Sequence, residues 1–218
     1  MTNACRKLFA AFALLLSTSF AHAAGDLASS GSILFSAQPG SWVGGALPAP
    51  DVVWVHGVDG LLSAQMNFDK GVSLTFDNGQ NWSFDFAAPT YDPATNTNPG
   101  NLLQVGFYDQ ATRFPFNSPT RPGLNVSGNG RGNNTLGGWF NVLDIAYGPS
   151  DSILRFAVDF RQFDESPSMT GPSLYGSLRF NSAIPLNPVP EPAEYMMLGA
   201  GLAALLLVVK RRARTALA

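Results

Sequence analysis

Cysteine is nearly missing from the 218 residues: the one thiol is Cys5. It stands ahead of an apolar run over 8–20, beside Arg6 and Lys7, and Ala21-His22-Ala23 follows that run. A positive start, a short apolar stretch and a small-x-small end predict a secretory signal peptide over 1–23, with the mature chain beginning near Ala24. A lipoprotein signal needs its cysteine at the cleavage point, so Cys5 excludes that class. The mature chain then has no disulfide, no thiolate metal ligand and no cysteine nucleophile, although an exported protein would permit bridges. It must hold together by its core alone.

Histidine and glutamate are almost as scarce. Beyond His22 there is only His56, and the body holds one glutamate, Glu165. A Ser-His-Asp triad would have to be built on His56. That residue ends the apolar run Val52-Val53-Trp54-Val55, which favours a structural histidine over a general base. Histidine-based metal sites need more partners. Glycosidase chemistry needs two carboxylates across a cleft, and aspartates such as Asp77, Asp92 and Asp151 fall in turns. No cofactor and no enzymatic activity is expected. Basic charge is also sparse: thirteen acidic against seven basic residues in 24–188 give a net charge near −6. An acidic domain argues against nucleic acid, which requires a basic face, and permits calcium.

The body lacks helical periodicity and lacks repeats of 20–50 residues. Gly, Pro, Asn, Ser and Thr punctuate it every eight to twelve residues, with aromatic and β-branched residues between. This pattern predicts one all-β domain over 24–186, an antiparallel β-sandwich of jelly-roll type. Strands are expected at 32–36, 41–43, 52–56 (buried), 61–68 and 102–108. The sharpest local signal is Val72, Leu74 and Phe76 alternating with Ser73 and Thr75, then Asp77-Asn78-Gly79-Gln80, then Trp82, Phe84 and Phe86 alternating with Ser83 and Asp85. Asn-Gly predicts a type I′ hairpin with one aromatic face inward. The stretch 87–100 reads as loop. Pro115, Pro119 and Pro122 keep their region out of a sheet centre.

After a short strand at 124–126, the glycines of 127–135 form a turn feeding a strand. No Lys-Ser/Thr follows the last of them and no helix pattern comes next, so a phosphate loop is disfavoured. From Gly138 a meander follows: 139–147, with a bulge near Asp144, then 153–163, then Leu174, Gly176, Leu178 and Phe180 alternating with Tyr175, Ser177 and Arg179. Leu154, Phe156, Val158 and Phe160 are expected on one face, and Arg155, Asp159 and Arg161 on the other. An apolar face across three strands needs a second sheet to cover it.

The last residues, 187–218, have three parts. Val189-Pro190-Glu191-Pro192 is extended and incompatible with a helix. An uncharged run over 195–209 follows, and then Lys210, Arg211, Arg212 and Arg214. The run is short for a ~30 Å hydrocarbon core. The basic cluster behind it can snorkel and marks the cytoplasmic side, which predicts a transmembrane helix. The three parts in this order resemble the PEP-CTERM sorting signal of Gram-negative bacteria that secrete exopolysaccharide. The resemblance implies recognition by an exosortase, a membrane protease-transpeptidase, after passage through the general export machinery and signal peptidase. It implies an inner-membrane anchor before processing and the cell surface or extracellular matrix afterwards.

The body also carries Ala111-Thr112-Arg113-Phe114-Pro115-Phe116, Pro122-Gly123-Leu124, Gly128-Asn129-Gly130-Arg131-Gly132, Phe156-Ala157-Val158-Asp159-Phe160 and Gly176-Ser177-Leu178-Arg179-Phe180-Asn181-Ser182. These segments resemble a family of exported bacterial β-domains of unassigned activity. In that pattern one cysteine follows the Gly-Arg-Gly turn and another the Asp-Phe strand. Asn133 and Asp164 stand there in this chain, so the resemblance implies a polar pair in place of a bridge. It brings no catalytic residues.

Four tryptophans complete the inventory. Trp54 and Trp82 lie on apolar-patterned strands and are assigned to the core. Trp42, two residues from Gly40 and Gly44, and Trp139, next to Gly138, are the candidates for exposure and for stacking on sugar. The expected function is that of a structural or interaction protein of the envelope or of a biofilm's exopolysaccharide matrix. The alternative is an extracellular carbohydrate-binding module using those two side chains.

Overall fold

A computed structural model describes residues 25–187. The expected signal peptide, the Val189-Pro190-Glu191-Pro192 motif, the apolar run and the basic cluster lie outside the described residues. Among the described residues no helix is long and apolar enough to cross a membrane.

Among the described residues eleven strands form one sheet: β1 (Asp26–Leu27), β2 (Gly31–Ala37), β3 (Asp51–Val55), β4 (Leu61–Met66), β5 (Val72–Asp77), β6 (Trp82–Ala87), β7 (Gly106–Arg113), β8 (Gly123–Gly128), β9 (Leu136–Tyr147), β10 (Ile153–Asp164) and β11 (Ser173–Phe180). Their spatial order is β1-β4-β5-β6-β8-β7-β9-β10-β11-β2-β3. The sheet curls until its flanks face one another. Phe35 of β2 packs on Trp82 and Phe84 of β6, with ring centroids 5.3 and 5.8 Å apart. Trp54 of β3 stacks on Phe76 of β5 at 5.3 Å, and Phe86 of β6 meets Phe140 of β9 and Phe160 of β10. These rings are buried, as expected for a cysteine-free domain that relies on aromatic burial.

The sheet is mixed, which corrects the all-antiparallel expectation. β7 and β8 run parallel, touching only at Thr112↔Gly123 and Arg113↔Leu124. The proline-bearing loop 114–122 turns the chain so that β8 starts where β7 ends. The rest of β8 then has no strand on that side. At Val126 the gap is filled by a side chain: buried Gln162 of β10 donates from Nε2 to the Val126 carbonyl and accepts its N–H, at 2.9 and 2.7 Å.

Three further expectations change. The stretch 41–43 is no strand but leads into a 3-10 turn, Gly44–Ala46, whose Gly44 N–H donates to Ser41 Oγ. β3 is an edge strand, with only Trp54 buried and Val53 and Val55 exposed, because among the described residues its outer side has no partner strand. The β5–β6 hairpin has its expected inward face, but Phe76 pairs with Trp82, leaving five residues between them. Only Gly79 among these has positive φ (84°). Asp77 Oδ1 accepts from Gly79 N–H and Asn78 Oδ1 from Gln80 N–H. These side-chain acceptors hold a wider loop than the two-residue type I′ turn, which needs two positive φ values.

In the meander, the bulge falls beside Asp144 as expected: Ala157 pairs with Asp144 and Val158 with Val142, leaving Leu143 extra. A second shift between Ile153 and Arg155 turns Leu154 outward, where it is exposed, and puts Ile153 in the core instead.

Candidate functional site

The outer face of β10 and β11 does not meet solvent as alternation alone predicts. Asp159, Ser177 and Arg179 are on it, yet all three are buried. The chain after β11 folds back over them. Arg179 donates to the carbonyls of Ile184 and Pro185 in this strap, to the Val158 carbonyl, and to Asp159 Oδ1 at 2.9 Å. Ser177 Oγ donates to Asp159 and accepts from Asn187 N–H, while Tyr175 donates its hydroxyl to the Asn187 carbonyl at 2.9 Å. Burial, with the Asp159 charge adding to it, pushes the Tyr175 phenol up to about 12, so it stays a donor at neutral pH.

Beside the strap the same outer face carries a row of aromatic rings. Trp139 of β9 lies opposite Arg161 of β10, which lies opposite Tyr175 of β11. The Trp139 and Tyr175 centroids are 6.4 Å apart, and Phe107 of β7 lies 5.5 Å from Trp139 on the other side. Phe107 is 60% exposed, and Trp139 and Tyr175 are partly exposed.

Trp42 stands in different surroundings. Its ring is half-exposed, but the Arg131 guanidinium lies over it at 4.7 Å and donates to the Trp42 carbonyl. Its N–H donates to Asp164 Oδ2 at 2.7 Å, and Ser41 Oγ donates to the same oxygen. The other Asp164 oxygen accepts from Asn133 Nδ2 at 2.8 Å. Asn133 and Asp164 are thus in contact, and together they tie the glycine turn and the end of β10 to the Trp42 loop. Trp42 and Trp139 do not share a contact network.

The groups weighed for catalysis are engaged structurally. His56 Nδ1 accepts from Leu62 N–H at 3.0 Å, pinning the β3–β4 connection. Glu165 accepts from Asn134 N–H, Thr135 N–H and Thr135 Oγ1. The Asn134 bond leads in holding its carboxyl below the ordinary value, with the Thr135 bonds and the Arg113 charge adding to it. Among the described residues no group of three or more His, Cys, Asp or Glu side chains could hold a metal ion.

Sequence reasoning singled out Trp139 but missed Phe107 and Tyr175. Tyr175 was legible as outward-facing on β11. Phe107 was hidden because its strand begins at Gly106 rather than Leu102. The strap had no local signal. Comparison of the chain with protein-family models, curated proteins and solved structures found no match.

Proposed function

We propose that this chain is an exported structural or interaction protein of the cell envelope or exopolysaccharide matrix, sorted through its carboxyl tail by an exosortase. The domain is read as a jelly-roll-like β-sandwich, non-catalytic and without cofactor. The observation that carries the proposal is the tail itself: Val189-Pro190-Glu191-Pro192, then an uncharged run, then Lys210, Arg211, Arg212 and Arg214. The architecture is compatible with it. The core side chains named above lie between Phe35 and Phe160, so removing both end segments takes away none of them. The opposed aromatic flanks of the curled sheet support the sandwich reading. The structural engagement of His56 and Glu165 supports the non-catalytic one.

The test is deletion of 189–218 followed by fractionation and intact mass. The expected outcome is that the full chain reaches the surface or matrix with a mass that begins near Ala24 and ends near the Pro-Glu-Pro segment. The truncated chain should lose that destination. Unchanged localisation on truncation would sink the sorting proposal.

A second reading is favoured by the exposed row at Trp139, in which aromatic rings on an outer sheet face serve as a carbohydrate-binding surface. Trp42 is the weaker candidate, because Arg131 already occupies a face of its ring.

A further inference from the structure

The curled sheet has ample aromatic side chains for its interior, and the inner rings are fully buried. The three rings of Phe107, Trp139 and Tyr175 are additional to that core and point the other way. They make a row across β7, β9 and β11, with successive ring centroids 5.5 and 6.4 Å apart. A folded protein partner is a poor fit. Specific interfaces bury ~800 Å² on each side, whereas an aromatic side chain carries about 150–250 Å² in all, and two of these three are already partly covered. Phe107 is tilted 37° to Trp139 and Tyr175 stands 62° to it, so the row offers ring faces at successive angles, which suits a narrow, twisted ligand that carries C–H groups on its faces and hydroxyls at its rim.

The flanks narrow the chemistry. Asn141 pairs with Phe107 across β9 and β7 and is partly exposed, offering an amide beside the row. Arg161 stands between Trp139 and Tyr175 in the register. Its Nε donates to Ser173 Oγ, and its guanidinium lies 4.8 Å from the Phe163 ring centroid. Among the described residues its two terminal nitrogens have no acceptor and it has no carboxylate partner. The other arginines on this side of the sheet are paired, Arg155 with Asp144 and Arg179 with Asp159. A guanidinium with two free nitrogens favours a carboxylate held by two parallel bonds.

We infer that this outer face is a stacking platform for a uronate-bearing polysaccharide, with Phe107, Trp139 and Tyr175 holding sugar faces and Arg161 holding a carboxylate. The inference rests on the carbohydrate-binding reading above and gives it a site and a ligand class.

The experiment is calorimetric titration of the purified full chain with alginate oligosaccharides, with neutral cello-oligosaccharides as the comparison. Alginate should bind at least about tenfold more tightly than the neutral ligand, through the local Arg161 contact and in spite of the domain's acidic net charge. Phe107→Ala and Trp139→Ala should each weaken alginate binding by about tenfold or more. Arg161→Gln should erase the preference for the acidic ligand while leaving neutral binding in place. Trp139→Phe, which keeps a ring, guards against loss of fold and should retain most of the affinity. Equal binding of both ligands, abolished by Trp139→Ala, would overturn the uronate specificity but keep carbohydrate binding. Binding lost only in Trp42→Ala would overturn this site. No binding of either ligand, or a dimer dispersed by Trp139→Ala, would overturn both readings.

Discussion

Gln162 stands in for a strand residue. Its amide presents one N–H and its carbonyl oxygen in the spacing of a peptide group, and they meet the Val126 carbonyl and N–H where β7 has already ended. A buried peptide group left without partners costs about 1–3 kcal/mol. Gln162→Leu keeps the volume and removes both bonds, so urea unfolding should show a loss of roughly 2–4 kcal/mol with an unchanged m-value. A near-neutral result would mean that β8 finds another partner by a small shift. Glycine has an equally local role at Gly128. A Cβ there would lie 2.1 Å from the indole of buried Trp82, so the close approach of strand and ring requires hydrogen at that position.

Asp85 carries a residue-scale prediction about pH. It lies on β6 between Ser73 and Asn125, on the neighbouring strands. Burial raises its carboxyl above the ordinary 3.8, outweighing the lowering by bonds from Ser73, Asn125 and Ser83. A raised folded-state value means that the folded chain holds this proton more tightly than the unfolded one. Stability from this group therefore falls as pH rises from about 3.8 through the folded value. Asp85→Asn should stabilise the domain at neutral pH, with the gain vanishing below pH ~4. Thermal melts of the pair between pH 3 and 7 decide it, and parallel curves would show that ionisation of Asp85 is irrelevant.

At the scale of elements, the strap over 182–187 is fastened mainly by its backbone. Arg179 reaches the Ile184 and Pro185 carbonyls, and Asn187 is met by Ser177 and Tyr175. The Arg179–Asp159 pair beneath is buried, and removing one partner from such a pair costs about 3–5 kcal/mol because the other charge is left without compensation. Arg179→Ala should lose that much stability and also speed proteolysis within 183–187. The double variant Asp159→Ala/Arg179→Ala should lose less than the sum of the singles. Unchanged cleavage in the strap would separate the ion pair from strap attachment. The opposite edge shows another device. β3 exposes Val53 and Val55, but Asp59 accepts the Val55 N–H at 2.7 Å, so one outward donor is unavailable to a second chain.

The same scale shows how much was legible. The alternation in β5 and β6 gave their inner face correctly, because each strand buries one side and the period is two. The slip at Asp144 gave the bulge. Asn133 and Asp164, far apart in sequence, are joined by a hydrogen bond. What was misread about burial shares one cause. Val53 and Val55 look like interior residues, and Ser177 and Arg179 look like surface, because strand position and strap path depend on distant parts of the chain. Local composition does not encode them.

For the whole molecule, alkaline stability follows from two phenols. Burial pushes Tyr147, whose hydroxyl donates to the Leu103 carbonyl, up to about 12, and Tyr175 likewise. The folded state keeps both protons where the unfolded state loses them, so stability should decline above pH ~10. Spectrophotometric titration should show these two tyrosines ionising only near 12 or on unfolding. Titration of Tyr147 or Tyr175 itself at 10, assigned by comparison with its Tyr→Phe variant, would contradict the burial. On the acid side, backbone bonds from Asn134 and Ala94 lead in lowering Glu165 and Asp92. Their contribution is present above the unfolded values and is lost as pH falls through the folded ones.

What the chain determines by itself is local or compositional. Alternation set the strands and the core rings, a single cysteine leaves no second thiol for a disulfide within the chain, and the tail's three parts set the sorting expectation. Tertiary structure alone decided three things: the parallel contact of β7 with β8, the burial of Arg179 under the strap, and the gathering of Phe107, Trp139 and Tyr175 into one row. The reason is physical. Pleat and turn chemistry act over a few residues, whereas the pairing and curl of an eleven-stranded sheet bring together positions as far apart as Gly31 and Phe180, which no local pattern records.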